Sequence, residues 1–351
     1  MTTVFSLFDE AAEAASHDDR EALAAVLKRV RESAATDPRL RDCFLAAFAS
    51  RLDAAGGHPD PYAEEVPRAD LLRVLSRNLP LLEATRFAND RLLSFLDGRE
   101  SATVLSLGIG QGRQECDLVE RAPDLRSLTV IGVDVSAGCL GAAETALRST
   151  GARVGTEVVF HPVRACAGQL DESVWRLVRE APRPLLVTAS FALHRLRDDE
   201  GGDTRTALFR RLRDLSPAAF SLCERNSDHR AVPLRTRFAQ AWRHYSALFA
   251  AIDGTAATEA EKAAMKRYFG REIQNVVGAP DTERRERHEP ADAWARRFAA
   301  TGFRLLPALP SVARVRGGFR TRALPDRIEL GFEDTPLVAV FVGTPDWSHT
   351  G

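Results

Sequence analysis

The sequence has few lysines, few tyrosines and no excess of charge of either sign. Only three lysines, Lys28, Lys262 and Lys266, stand among the 48 basic residues, so nearly every cation is an arginine. The 48 basic and 49 acidic residues leave a net charge of −1. A protein that coats nucleic acid is usually basic, so this balance argues against that role and we expect no nucleic-acid partner.

The five cysteines are scattered along the chain and form no CxxC pair. This usage argues against a disulfide framework and against a zinc knuckle, and it fits a reducing cytoplasm. The first residues show no basic segment followed by an apolar run, so no signal peptide is predicted. No uncharged apolar run approaches the roughly 20 residues of a membrane span. The sequence therefore predicts a cytoplasmic protein with no metal site and no membrane partner.

Two kinds of hydrophobic pattern follow each other along the chain. Residues 4–96 carry apolar side chains at helical spacing and show no strand, and the last helix of this region is expected over about 68–97. From residue 102 short apolar runs alternate with helical stretches, which predicts a parallel, doubly wound sheet. The five strand candidates of this part are 103–107, 128–133, 156–161, 185–190 and 218–223.

The alternation stops after residue 224. Three helical stretches follow, and two apolar runs, 327–332 and 337–342, predict a terminal antiparallel hairpin. Five parallel strands closed by a reversed hairpin strand outline an α/β, Rossmann-like sheet of the class I methyltransferase type with a helical cap. The expected divisions are a helical region at 1–97 that contributes to the cap, a ligand-binding core at 98–230, a cap insertion at 231–301 and terminal strands at 302–351.

A glycine-rich turn follows the first predicted strand. Gly108, Gly110 and Gly112 let the backbone turn tightly and approach a ligand, and the helix expected from Gln111 points free N–H groups at it. The turn lacks the lysine of a Walker loop, and Arg113 stands where the dinucleotide fingerprint needs its last glycine. The remaining spacing is the one seen in enzymes that use S-adenosylmethionine (SAM).

The next three strand ends supply further candidates for the cofactor. Asp134 follows the glycine turn by about 20 residues, where a carboxylate can accept both ribose hydroxyls; the alternative is an Asp that caps the helix from Ser136. No acid follows the third strand, so an adenine contact would come from the backbone near Ala165 and Cys166. Ser190 ends the fourth strand and is assigned to the same site.

Polar side chains also follow strands four and five. His194 is a candidate general base because its ordinary pKa suits proton removal at neutral pH; equally, it can fix or support the loop. Glu224, Asn226 and His229 offer a carboxylate, an amide and an imidazole that can orient and deprotonate a nucleophile. The alternative is a polar loop that caps the helix near Pro233.

Two later stretches allow more than one interpretation. Phe238, Trp242, Tyr245 and Phe249 share one helix face, which is more typical of a core stripe, although the Tyr245 hydroxyl can line a pocket. The charged run 283–289 is usually a solvated loop, but its paired arginines and glutamates can also form a buried network.

These same stretches resemble the GRAS domain, known from plant transcription regulators and also found in bacteria. The fourth strand and its loop, 186–196, are similar to the family pattern vNsvlqLHrL, and 220–229 to vtvvEqeanHN. The helix at 237–249 resembles rF.eal.yYsalFd. The further blocks, in the family's order, are 87–89 and 109–112 upstream, 271–277, 283–289 with Trp294 after it, and a reduced final motif at 341–347.

Departures from the plant pattern concern the glycine turn. Ser106 and Gly108 stand where plant members have aspartates, and Asp134 supplies a ribose acid that plant members generally lack. The chain therefore resembles a bacterial GRAS protein that has kept its cofactor site. For such members the resemblance implies methylation of a small molecule.

The leading hypothesis is thus a cytoplasmic SAM-dependent methyltransferase with a small-molecule substrate and a possible homodimer. SAM would be held by Gly108, Gly110, Gln111, Gly112, Asp134, Ala165 and Ser190. Catalysis would fall to Glu224 with His194 and His229, and the substrate to Phe191, Asn226, Tyr245 and Arg287. The alternatives are a non-catalytic GRAS-type regulator or ligand-binding protein, or a SAM enzyme that catalyses another reaction such as cyclisation.

Overall fold

A computed structural model describes residues 3–52, 68–198, 202–230, 233–308 and 318–346. Trp347 of the terminal motif lies outside these residues. Within these ranges no helix is long and apolar enough to cross a membrane.

The secondary structure follows the two predicted patterns. The helices are α1 (Val4–Ser16), α2 (Arg20–Glu32), α3 (Pro38–Ser50), α4 (Arg68–Asn78), α5 (Ala84–Leu92), α6 (Arg113–Arg121), α7 (Ala137–Val154), α8 (Glu172–Glu180), α9 (Thr204–Asp214), α10 (Leu234–Asp253), α11 (Glu259–Ile273) and α12 (Ala291–Ala300). The strands are β1 (Ser101–Leu107), β2 (Ser127–Asp134), β3 (Glu157–Arg164), β4 (Leu185–Ser190), β5 (Ala219–Arg225), β6 (Phe303–Leu305), β7 (Phe319–Ala323), β8 (Ile328–Phe332) and β9 (Thr335–Pro345).

The nine strands of the described residues belong to one sheet, in the order β3-β2-β1-β4-β5-β9-β8-β7, with β6 also paired to β9. Strands β1 to β5 are parallel, and β9 runs antiparallel to both β5 and β8. The chain order reverses between β1 and β4, which is where doubly wound sheets bind ligands. The structure confirms the predicted fold class.

Three local features differ from the prediction. The helix expected over 68–97 is broken at Pro80, which lacks an N–H and disfavours helical geometry in the residue before it. Helix α11 continues into a π-helical turn at Gln274–Gly278. Strand β7 was not predicted, because Arg320 and Arg322 interrupt its apolar run and leave it polar at the edge of the sheet.

The helical cap combines two distant parts of the chain. Helices α1 and α3 pack against α10 and α11 around an aromatic cluster, in which Phe8, Phe44, Phe238 and Trp242 have ring centroids 5.0–6.1 Å apart. Each such ring pair adds about 0.5–1.5 kcal/mol beyond the burial of its area. Phe238 and Phe249 are both fully buried core residues. The four expected divisions of the chain remain a prediction.

Candidate ligand-binding site

A cavity of about 690 Å³ lies between the carboxyl edge of the sheet and the helical cap. The glycine turn and the residues after β2, β3 and β4 form one wall, and side chains of α4, α10 and α11 form the other. Ligand pockets commonly enclose about 300–1,000 Å³. The cavity therefore has the size and the place expected of a small-molecule site in this fold.

The glycine turn needs its glycines for different reasons. Gly108, Gly110 and Gly112 have φ values of 79°, 55° and 71°, which L side chains rarely adopt. A Cβ at Gly108 would lie 2.4 Å from the Cβ of Ala192 in the loop after β4, whereas a Cβ at Gly110 would enter open space. Gly112 is buried against α7 and does not line the cavity, so its predicted cofactor contact is replaced by a packing role.

Asp134 lines the cavity and also shapes the turn. Its Oδ2 accepts a hydrogen bond from the Gly110 N–H at 3.0 Å, and its Oδ1 accepts one from the Ser136 N–H at 2.9 Å. The hydroxyl of Ser136, not Asp134, caps α7 by accepting the N–H of Cys139. A carboxylate offers about four lone-pair sites, so two remain for a bound hydroxyl pair.

Side-chain hydrogen bonds of the first turn of α6 lie directly beneath the glycine turn. Gln114 Oε1 accepts from the Ser190 hydroxyl at 2.7 Å, and its amide donates to Asn89 Oδ1 at 3.2 Å. Thr188 Oγ1 donates to Glu115 Oε1 at 2.9 Å. Gln111, Ala165 and Ser190 line the cavity, as do Gln114 and Glu115.

Gln114 and Glu115 were not predicted as site residues, because in the sequence both look like ordinary polar positions of a surface helix. Their signal was their place in the first turn of α6, immediately after the glycines, where a side chain points back under the ligand edge of the sheet.

Glu224 serves the structure of the loop after β4 rather than the cavity. It is fully buried, and its Oε1 accepts the N–H groups of Ala192, Leu193 and His194 at 3.0, 2.7 and 3.2 Å. Burial favours the neutral acid, but the neighbouring imidazole and these N–H groups outweigh it and lower the pKa of Glu224. Glu224 is not part of the cavity wall.

His194 lies between two carboxylates. Its Nδ1 is 2.8 Å from Glu224 Oε2, and its Nε2 is 3.1 Å from Glu286 Oε2. Burial disfavours the imidazolium, yet the two carboxylates raise the pKa of His194 above its ordinary 6.5. Since both ring nitrogens are engaged, the geometry favours a residue that fixes the loop over a general base.

The charged run 283–289 is a buried network and not a solvated loop. Arg284, Glu286, His288 and Glu289 are all buried. Asn275 Oδ1, in the π-helical turn, accepts the backbone N–H groups of both residue 285, at 2.8 Å, and residue 286, at 2.9 Å. This segment, called the 283–289 segment below, holds the ends of β4 and β5 to the cap.

His229 and Asn226 belong to the same network. The His229 N–H donates to the carbonyl of His288 at 2.9 Å, and its imidazole contacts the Ser227 hydroxyl at 2.8 Å. Burial lowers the pKa of His229 well below its ordinary value. Asn226 Oδ1 accepts the N–H of Ala291 at 2.9 Å. Glu224, His194 and His229, for which catalytic roles were predicted, are thus buried members of this network and do not line the cavity.

Most of the predicted substrate residues also lie elsewhere. Tyr245 is fully buried and its hydroxyl donates to Glu272 Oε2 at 3.3 Å. Arg287 donates from Nε to the carbonyl of Arg284 at 3.2 Å. Neither they nor Asn226 line the cavity, whereas Phe191 does.

His194, Glu286 and His288 bring three ligand-type atoms within 4.8 Å of one another. The two imidazole rings, however, stack with centroids 4.3 Å apart and an angle of 22° between their planes. Nearly parallel rings cannot both aim an in-plane nitrogen lone pair at one ion. We interpret the group as a hydrogen-bonded ionic cluster.

The cap side of the cavity carries His244, Tyr268, Phe269 and Arg225. Arg225 is paired with Glu272, with its Nη2 2.8 Å from Oε1. His244 is only 3% exposed. Burial and the nearby Arg225 lower the pKa of His244 to about 3, so its imidazole is neutral.

His244 should make the fold acid-sensitive in a way that one substitution removes. Its folded pKa of about 3 lies below the ordinary 6.5, so the unfolded chain alone takes up a proton as the pH falls below 6.5. Relative to His244→Gln, the wild type should lose about 1.4 kcal/mol of unfolding free energy per pH unit below that value. Urea titrations at pH 7, 6 and 5 measure the slope, and a pH-independent difference between the two proteins would contradict it.

Known proteins are similar to this chain in sequence and in fold. A model for the GRAS domain family matches residues 5–314. Scarecrow-like protein 14 from Arabidopsis thaliana is 27% identical over 321 residues, which cover 84% of this chain and 42% of that protein. DELLA protein 2 from Medicago truncatula is 28% identical over 234 residues, 64% of this chain and 44% of that protein. The chain thus spans less than half the length of these relatives.

The structure of SCL7 in Oryza sativa superposes with a TM-score of 0.76 at 24% sequence identity. The match covers 91% of this chain and 94% of that one, so the two proteins share the fold.

Proposed function

Because the chain belongs to the GRAS domain family, we propose that it is a non-catalytic regulator whose cavity binds an adenosyl ligand of the SAM type. One observation carries the proposal. Gly110 and Asp134 line an open cavity of ligand size, while the polar groups suited to proton transfer at the ends of β4 and β5 are buried outside it.

The methyltransferase hypothesis is wrong. The DELLA and Scarecrow-like proteins that the chain matches are GRAS regulators and not enzymes, and the alternative of a non-catalytic GRAS regulator fits them better. The predicted small-molecule substrate is wrong for the same reason, since a regulator turns over no substrate. We expect the output of a regulator to pass through a protein partner instead.

The residues of the turn fit an adenosyl ligand. Open space at Gly110 lets a ligand reach the backbone, and Asp134 keeps lone pairs for two ribose hydroxyls. Gln111, Ala165 and Ser190 would complete the contact surface. All five cysteines are free, which supports a reducing compartment such as the cytoplasm.

Calorimetric titration with SAM and with S-adenosylhomocysteine (SAH) tests the ligand. We expect the wild type to bind and Asp134→Ala to bind about 10- to 100-fold more weakly, because it loses charge-assisted hydrogen bonds to ribose. Asp134→Asn keeps an acceptor for the Gly110 N–H and separates ribose contact from the shape of the turn. The matched control is Asp124→Ala, an exposed aspartate before β2.

Three results would overturn parts of this proposal. A wild type that binds neither nucleoside would remove the ligand. Unchanged affinity in both Asp134 variants would place the ligand at another site. Release of SAH from SAM by the purified protein, measured with and without candidate acceptors, would overturn the non-catalytic role.

A further inference from the structure

Glu115 is the buried acid of the cavity wall. It stands on α6 directly after the glycine turn, is 2% exposed, and lines the cavity. Its partners are two hydroxyls: Thr188 on β4, whose Oγ1 donates at 2.9 Å, and Ser106 on β1. Ser106 and Thr188 are register partners on neighbouring strands, so their two hydroxyl groups lie side by side beneath Glu115.

Glu115 differs from the other buried glutamates in its charge environment. Glu224 and Glu286 each contact His194, Glu272 is paired with Arg225, and Glu289 with Arg205. Among the residues that the structure describes, no Lys, Arg or His forms an ion pair with Glu115. Its pKa is shifted by burial and by hydrogen bonds alone.

The charged groups around α6 do not supply this countercharge. On α6 itself, Asp117 is paired with Arg121 and Arg86, and Arg113 donates to the Ser76 hydroxyl on α4. The Cys116 thiol is hydrogen-bonded to Thr150 on α7.

Four arginines line the same cavity, Arg86, Arg113, Arg195 and Arg225, but none of them forms an ion pair with Glu115. From α5, Asn89 presents an amide. Across the turn, Asp134 binds backbone N–H groups. A buried carboxylate without a cation is unfavourable, and burial accordingly raises the pKa of Glu115.

We propose that Glu115 makes the cavity select a positively charged ligand over its neutral analogue, so that the sulfonium SAM binds more tightly than the thioether SAH. The inference rests on the proposed adenosyl ligand. A cation in the cavity supplies the countercharge that Glu115 lacks among the described residues. A neutral ligand leaves the Glu115 carboxyl without a countercharge. The protein would then respond to the ratio of SAM to SAH and not to either nucleoside alone.

Calorimetry of SAM and SAH on wild type and Glu115→Gln tests the selection. We expect the wild type to prefer SAM by at least about 10-fold, and Glu115→Gln to bind the two within about 3-fold of each other. Glutamine keeps an acceptor for the Thr188 hydroxyl, so the fold should hold. Glu83→Gln is the matched control, since Glu83 also lines the cavity but is exposed, and it should keep the wild-type ratio.

Proton release gives a second readout that a merely structural role would not move. Titrations in two buffers of different ionisation heat should show that the wild type releases up to one proton on binding SAM, because the cation favours the ionised acid. Glu115→Gln should release none, and SAH should release none from either protein.

The outcomes separate this inference from the proposed function. If the wild type binds neither SAM nor SAH, the adenosyl ligand itself fails. If the wild type binds both equally, or Glu115→Gln keeps the wild-type ratio, the selection by Glu115 fails while the ligand stands. The wild-type ratio needs no variant, so equal binding of SAM and SAH by the wild type would overturn the selection even if Glu115→Gln did not fold.

Discussion

Glu224→Ala should lower the free energy of unfolding by about 3–5 kcal/mol, the range for breaking a buried ion pair. The substitution removes the acceptor of three backbone N–H groups in the loop after β4, at 2.7–3.2 Å. It also leaves His194 buried with one carboxylate in place of two. The sequence predicted a catalytic role for Glu224, whereas its contacts in the structure predict that its removal lowers stability.

Urea denaturation at pH 7 measures this loss. Glu224→Gln should cost less than the alanine variant, because its amide oxygen still accepts the three N–H groups while the charge is gone. Glu144→Ala, on the exposed face of α7, is the control and should change stability by no more than about 0.5 kcal/mol. A Glu224→Ala protein as stable as the control would contradict the structural role.

Arg205→Met should be about as damaging, at about 3–5 kcal/mol, because Arg205 on α9 joins the loop after β4 to Arg287 and Glu289, more than 80 residues further along the chain. Its Nη1 donates to Glu289 Oε1 at 2.8 Å. Its Nη2 donates to the carbonyls of His194, Arg287 and Leu196 at 2.8, 2.9 and 3.1 Å. Methionine has nearly the same length but no donor, so the carbonyls of Leu196 and Arg287 lose this partner, while Glu289 keeps only Arg230 and Arg297.

Hydrogen exchange shows where the damage of Arg205→Met falls. Exchange should accelerate in the 283–289 segment and in the loop after β4 more than in β1, which Arg205 does not contact. The control is Arg176→Met on the exposed face of α8. Uniform acceleration through β1 would show that Arg205 supports the whole domain and not this junction.

Short-range patterns predicted most of the sheet. Strands β1, β2, β4 and β5 are continuous apolar runs because helices cover both faces, and such runs can be recognised without knowing their neighbours. Strand β7 was not predicted, because its pairing with β8, and not its own composition, makes it a strand. The break at Pro80 was predictable from backbone sterics, but the apolar spacing on both sides favoured one long helix.

The site was predictable only as far as it is local. Gly110 and Asp134 lie at strand ends, and the topology alone brings them to one edge. The burial of Glu224 and His194 could not be predicted, because it depends on the 283–289 segment, which follows them in the chain by about 60 and about 90 residues. A polar side chain at a strand end therefore indicated correctly which edge of the sheet binds ligands. It did not indicate whether that side chain is exposed to the ligand or buried.

The position of β9 near the end of the chain delays the completion of the sheet during synthesis. It is the hydrogen-bonded neighbour of β5, yet about 110 residues separate the two strands, and Leu222 and Phe220 of β5 are buried in the finished sheet. A ribosome adding about 5–20 residues per second needs roughly 5–20 s to synthesise that interval. During that time β5 is an open, apolar sheet edge, the kind of surface on which chains aggregate. The nascent chain thus passes through a stage in which the edge of β5 has no hydrogen-bonded partner strand.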